Sequence, residues 1–435
     1  NEATGYGGGV YVDGTLTRVP AFADSFELRG VLILDCAAAN GGGIAVEATG
    51  EFLYERGTVE GCTASVNGGG VARRGATGGP IRSKLSDVRI SGSTAAGGGG
   101  GLYAAVPNFE LYSPMDPLTA HVSRLFIDQN MADEGGGIYL TGPAGPGLDV
   151  VFSNLVVVQN EATTAGGGIF VELLDLGVEA HMRHLTVAGN ESPNGTGAGI
   201  RVEASNATVR NSIVADQVAG EGIQHVGAGA TTSNFNDVDA NAGGDYDGLV
   251  AGAADISSDP LFYEPLSFQY WLTEGSPVIE VAGDVGDGVD YVPATDIVGA
   301  PRPFPDGGEG DMGAYEARLM SLSPEIESVE PISSTRLRAH FSNGMRSDAA
   351  LLDPSSYELT ALGGAVTIAA SDVEPPLDDP EPDYVDLIVS EMTDLGSYTL
   401  IPHGIVDRFG EPIVETPTPF QGLGTRPLLE LAVMT

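Results

Sequence analysis

The sequence predicts an all-β protein: a parallel β-solenoid over residues 1–318, followed by a β-sandwich over 319–425. Three observations carry this. Glycine triplets recur at a near-constant spacing, each triplet leads into a short alternating apolar run, and the triplets stop near residue 320. Of the 63 glycines in the 435-residue chain, all but eight precede residue 321.

The triplets fall at residues 7–9, 41–43, 68–70, within 97–101, at 135–137 and at 166–168, and a variant, Gly197-Ala198-Gly199, follows. Measured at the last glycine, the steps are 34, 27, 31, 36, 31 and 31 residues, inside the period range of solenoid repeats. Val10-Tyr11-Val12, Ile44-Ala45-Val46, Ile138-Tyr139-Leu140 and Ile169-Phe170-Val171 follow their triplets directly, which is the period-2 signature of a strand. A second register precedes each triplet, running from an apolar residue to Cys, Ser or Asn three positions on. It joins Ile33 to Cys36, Val59 to Cys62, Ile90 to Ser93, Ile127 to Asn130, Val157 to Asn160 and Val187 to Asn190. No helical periodicity competes. Short strands at a fixed period cannot bury their faces singly, so they must stack as coils. About three strands and three bends per coil fit the spacing, and glycine permits tight positive-φ bends.

The unit Asn160-Glu161-Ala162-Thr163-Thr164-Ala165-Gly166-Gly167-Gly168-Ile169 resembles the repeat of polymorphic outer-membrane-protein-like and related secreted right-handed parallel β-helices. Asp259-Pro260-Leu261-Phe262, the run from Trp271 to Ile279, and Gly310-Asp311-Met312-Gly313-Ala314-Tyr315-Glu316 resemble the closing segment of bacterial surface β-helices. That family is defined by architecture, so the resemblance implies a fold and leaves activity open. Asn1-Glu2-Ala3-Thr4 matches Asn160-Glu161-Ala162-Thr163, so the chain opens inside a repeat; upstream coils or another cover are expected there.

After residue 320 the tail carries 12 of the 27 prolines and short alternating strands at Arg336–Phe341, 356–362, 365–370, Tyr384–Val389 and 397–401. Turn-rich segments between them read as a sandwich. The series Phe341-Ser342-Asn343-Gly344-Met345, Asp353-Pro354-Ser355-Ser356-Tyr357 and Val406-Asp407-Arg408-Phe409-Gly410 resembles bacterial Ig-like modules of surface proteins. Residues 372–386 read as an exposed hairpin loop, 417–425 as a linker, and 426–435 as a trailing strand or the start of a further module.

Sixty acidic residues face nineteen basic ones, a net charge of −41. That excludes nucleic acid and anionic membranes as partners, since both need basic patches. No apolar run approaches the ~20 residues of a membrane span. The chain begins at Asn1 rather than Met, so any secretion signal is expected to have been removed or left out.

Among candidate sites, Cys36 and Cys62 share one register on successive coils, about 4.8 Å apart, so either a disulfide or a stacked thiol pair is expected. Asn130, Asn160 and Asn190 should form an inward ladder of amide hydrogen bonds, a structural role. Asp237, Asp239, Asp245 and Asp247 form one acidic group, Asp284, Asp287 and Asp290 a second, and Asp306, Glu309 and Asp311 a third. Calcium takes oxygen ligands from flexible loops, so the first two groups are the candidate calcium ligands, although neither matches a known calcium motif. His181 and His184 are three apart in a strand and are expected on opposite faces. The sequons at Asn190, Asn194 and Asn206 are read as unmodified.

Catalytic motifs are missing: there is no Gly-x-Ser-x-Gly, Cys-x-x-Cys or phosphate loop, and no catalytic residue is assigned. The expected function is an extracellular or cell-surface structural or adhesive protein, a rigid acidic rod making multivalent contact with carbohydrate or protein. The alternatives are a filament subunit self-associating head to tail into fibres, and a β-helix polysaccharide lyase or hydrolase, which rests on fold analogy.

Overall fold

The computed structural model describes residues 3–12, 25–47, 51–74, 81–105, 109–110, 120–142, 150–173, 179–194, 196–273, 275–283, 293–303, 309–317, 324–342, 344–361, 367–376, 382–392, 396–407 and 412–422. The chain divides into two compact units, Asn1–Arg318 and Leu319–Thr435.

The first unit is a parallel β-solenoid. One coil shows the plan. A long strand, Val150–Val158, bends into a short one, Glu161–Ala165, and the glycine triplet leads to a third, Ile169–Leu173, before the next long strand begins at Glu179–Ala188. Each strand pairs in parallel with its equivalents one coil away, so Ile138, Ile169 and Ile200 stack in register. The sheet that follows the triplets has nine strands, the long-strand sheet twelve and the short-strand sheet five. About five turns therefore carry all three faces; on later coils the short face shrinks to single bridges at Glu191 and Ala219. Alternate residues of the long and post-glycine strands, such as Val157, Val187, Ile169 and Ile200, point inward and form one continuous core.

Each coil needs three left-handed residues, and the triplet supplies only one. Gly166 has φ +67°. Its two neighbours are glycine for a different reason: a Cβ on Gly167 would lie 2.5 Å from the Glu191 carbonyl oxygen, and one on Gly168 would lie 2.7 Å from that of Gly199. The other two left-handed positions mix glycine, at Gly30, Gly61, Gly92 and Gly189, with residues that carry side chains. One ends the long strand, at Asp35, Gln129 and Gln159 among others; one kinks its middle, at Arg56, Asp87, Arg124, Asn154, His184 and Asn211.

Past the last coil, the described residues between 256 and 317 fold back as an arm over the outside of the long-strand sheet. They include an antiparallel hairpin of Phe262–Glu264 and Gln269–Leu272. Leu272, Val278, Met312 and Ala317 of the arm pack on Ile213 and Ala215 of the sheet. Polar bonds pin the arm to the kink column: Asn154 Nδ2 donates to the Thr295 carbonyl at 2.6 Å, and Asn211 exchanges bonds with both backbone groups of Gly283. The segments that resemble a β-helix closing region are thus a lateral cover.

The second unit is all antiparallel. Seven strands follow one hydrogen-bonded order around one core that includes Leu337, Leu359, Val385 and Leu400. Three sequence readings change here. Residues 372–374 end the strand Thr367–Glu374 and 384–386 open Tyr384–Val389, so the expected hairpin loop is much shorter. The expected linker contains the strand Thr418–Gln421, and Ile326–Ser333 was not anticipated. Residues 426–435 lie outside the described residues.

Candidate functional site

The register of Cys36, Ser93 and Asn160 builds a polar column inside the solenoid. The Cys36 amide donates to Cys62 Sγ at 3.4 Å, the Cys62 amide to Ser93 Oγ at 3.3 Å, and the Ser93 amide to Asn130 Oδ1 at 2.9 Å. Asn130 then donates its amide to Asn160 Oδ1, and Asn160 to Asn190 Oδ1, each at 3.0 Å. Each Asn side-chain NH2 also caps a backbone carbonyl, those of Ile90, Ile127 and Val157. The column continues where the triplets end, from the Asn190 amide to Gln217 Oε1 at 2.8 Å and from the Gln217 amide to Asn241 Oδ1 at 3.3 Å. It closes on a carboxylate, Asp245 Oδ1, which accepts from Asn241 Nδ2 at 3.0 Å.

A second, shorter column runs from the Leu185 amide to Ser212 Oγ, from the Ser212 amide to Asn236 Oδ1 and from the Asn236 amide to Asp255 Oδ1. It too ends on an acceptor-only group. Both columns satisfy backbone N–H groups at bends, which would otherwise be costly to bury.

Cys36 and Cys62 are free and buried. Burial pushes the Cys62 thiol up to about 11, which keeps it an unreactive thiol near neutral pH.

A buried charged cluster sits on the arm. Arg302 and Glu316, both fully buried, meet at 2.6 Å. Arg302 Nη1 also donates to His184 Nδ1 at 2.7 Å and to the Asp311 carbonyl at 2.9 Å, and Nη2 donates to the Gly313 carbonyl at 3.2 Å. Because a guanidinium only donates, His184 Nδ1 must be an acceptor and the ring neutral. Burial, then the Arg302 charge, holds His184 well below the usual histidine range. Burial also lowers Arg302, against the pull of Glu316, Asp296 and Asp311. Asp311 accepts from the Glu280 and Ala317 amides, yet burial raises it to about 6. The expected separation of the two histidines does not hold: the kink at His184 breaks strand alternation, and both lie outside the interior core, His181 on Thr208 and His184 on Arg302.

The acidic candidates separate. Asp237 and Asp239 share one strand and Asp245 lies close by, whereas Asp247 belongs to the post-glycine sheet and accepts from Gln224 at 2.9 Å. Asp284, Asp287, Asp290 and Asp306 lie outside the described residues. Among the described residues, no three His, Cys, Asp or Glu groups already converge in metal-holding geometry.

The outer side of the post-glycine sheet is a ladder of side chains in register. Tyr139 stacks on Phe170 with ring centroids 4.9 Å apart, the Arg201 guanidinium lies 5.6 Å from the Phe170 ring, and Arg201 donates to Gln224 at 2.7 Å. At the other end Tyr6 stacks on Tyr11 at 5.4 Å, with Arg74 bonded to the Tyr6 hydroxyl at 3.3 Å. Carboxylates flank this ladder. Tyr139 OH donates to Glu172 at 2.6 Å, and burial, followed by Glu172, Asp133 and Glu203, holds the Glu134 carboxyl above its usual range.

No protein-family model matches the chain, and neither does any curated protein. Among solved structures, the S-layer protein rSbsC is similar at 21% identity over 25% of this chain and 14% of its own, with a TM-score of 0.22. The N-terminal part of the bacterial S-layer protein SbsC is 22% identical over 23% of this chain and 24% of its own, at a TM-score of 0.21. The chain thus spans under a quarter of the first of these and about a quarter of the second. Overlaps this small leave fold and function to be read from the residues themselves. No helix among the described residues is long and apolar enough to cross a membrane.

Proposed function

We propose that the chain is an extracellular or cell-surface structural protein whose solenoid presents its post-glycine face to a carbohydrate or protein partner. One observation carries the reading: the interior asparagines are spent on backbone groups, while the outer register of the post-glycine sheet places Tyr103, Tyr139, Phe170 and Arg201 on successive coils, with Tyr103 and Arg201 half-buried and Tyr11 exposed farther along. Such a face suits many weak contacts along an extended partner, which multiply when engaged together. The acidic coat, −41 in all, favours solubility and disfavours polyanions. A right-handed coil, an Ig-like second unit, a bacterial source and head-to-tail assembly belong to the same reading. A glycan and surface-protein binding panel tests it, comparing the wild type with Tyr11→Ala, Arg74→Ala and Tyr103→Ala combined. Loss of binding in the variant supports the reading. Binding by neither protein, or by both alike, sinks it.

A second reading has its own observation. Burial and the neighbouring Glu172 raise the Glu134 carboxyl, and Glu172 accepts from Tyr139 and Thr141; glycoside hydrolysis uses two carboxyl groups of this kind. Release of reducing ends from a polysaccharide panel, abolished by Glu134→Gln, would establish an enzyme; no release from any substrate discards it.

A further inference from the structure

Five carboxylates gather where the last coil meets the arm, and one of them has an oxygen without a partner. Asp237 and Asp239 share the outer side of their strand, because Val238 between them points into the core. Asp216 stands at the bend of the preceding coil, its amide bonded to the Asp239 carbonyl at 3.2 Å. Asp245 comes from the turn beyond. Asp259 comes from the arm, next to Ser258, whose amide donates to Asp237 Oδ1 at 3.0 Å. Ser257 Oγ lies 2.8 Å from Asp239 Oδ1 and 3.5 Å from Asp245 Oδ2. Asp237 is fully buried, and its Oδ2 has no hydrogen-bond partner among the described residues.

The strongest charges acting on Asp237 are those of Asp239, Asp245 and Asp259; those acting on Asp216 are Asp259 and Asp239. Neither set includes a cation. A buried carboxylate with an unsatisfied oxygen, facing only like charges, is strongly unfavourable unless a proton or a cation joins it.

We propose that this cluster binds a calcium ion, with Asp237 Oδ2 as its buried ligand and Asp239 beside it. The donors are all oxygens, on side chains from four separate segments, which suits the six to eight flexible ligands of calcium better than the strict octahedron of magnesium. The groups do not yet converge on one point, so the exposed Asp216 and Asp259 swing inward on binding. Because Asp259 belongs to the arm and Asp237 to the last coil, the ion ties one to the other. Asp247, the fourth member of the acidic group in the sequence, is not a ligand.

Titration calorimetry and thermal melts of the full chain, stripped with a chelator and then given calcium chloride, test this. The expected result is saturable binding and a higher Tm with calcium. Asp237→Asn should weaken binding at least ~tenfold and raise the calcium-free Tm, since the buried charge is gone. Asp239→Asn should weaken binding as well, and Asp247→Asn should leave it unchanged. No heat and no Tm shift at millimolar calcium overturns the proposal. So does equal binding by Asp237→Asn, or a Tm that answers to pH at Asp237 but not to calcium, which would mean a proton occupies the site.

Discussion

The asparagine column and the arm's arginine cluster are both buried polar networks, yet they hold the molecule in opposite ways. The column repeats: Asn130, Asn160 and Asn190 perform the same task on successive coils, and each serves the bend of the coil before it. The cluster is singular: Arg302 alone joins His184, Glu316 and two arm carbonyls. Repetition spreads a function over many weak equivalents, whereas a hub concentrates it in one residue.

The largest test of that contrast is Arg302→Met. It leaves Glu316 buried without its partner, and removing one member of a buried pair costs about 3–5 kcal/mol. Thermal melts should show the loss, and limited proteolysis should cut first within residues 256–317. A variant as stable as the wild type would mean the hub is not a hub. Asn160→Leu should cost less, about 1–3 kcal/mol for the buried groups it leaves unsatisfied. Asn130→Leu should cost much the same. Unequal losses would show that coils are not equivalent.

Next comes pH. His184 stays neutral in the fold, while the unfolded chain's imidazole gains a proton below about pH 6.5. It therefore contributes stability above that pH, which is lost as pH falls, by about tenfold in the unfolding equilibrium per pH unit. Asp311, raised to about 6 by burial, acts in the opposite sense, because the fold holds its proton between that value and about 3.9. The informative quantity is thus the difference between wild type and His184→Gln, whose stability curves should diverge below pH 6.5. Parallel curves would remove His184 from the account. The smallest effect is chemical: Cys36 and Cys62 should resist alkylation at pH 8 in the native protein and both react in denaturant. Non-reducing peptide mapping that finds them bridged would replace the thiol pair by a disulfide.

The two networks also differ in how far the sequence revealed them. The column was legible from Cys36 to Asn190 because glycine triplets fix the phase and the same apolar residue stands three positions earlier. Gln217 and Asn241 escaped because the triplet marker is gone, and the spacing then falls to 24 residues at Asn241. The mid-strand kink was invisible for another reason. Its backbone needs a left-handed residue, but Arg56, Asp87, Arg124, Asn154, His184 and Asn211 fill it, and they share no chemical signature. The hub could not be read at all, since Arg302 and His184 are 118 residues apart and meet only when the arm folds back. Of the acidic group, Asp237, Asp239 and Asp245 stayed together, but Asp216 and Asp259 were joined to them by stacking rather than by proximity in the chain.

The direction of the column has a consequence for length. Every link points the same way, with a backbone N–H offered to the following coil, and the series stops at Asp245, which has only lone pairs to give. A new turn added beyond that carboxylate would bring its acceptor oxygen against lone pairs rather than a donor. Upstream, by contrast, a duplicated turn would find a matching neighbour on each side. Copy number between Cys62 and Asn130 is therefore a free variable, and each inserted unit would lengthen the solenoid by about 4.8 Å while the arm and its arginine remained where they are.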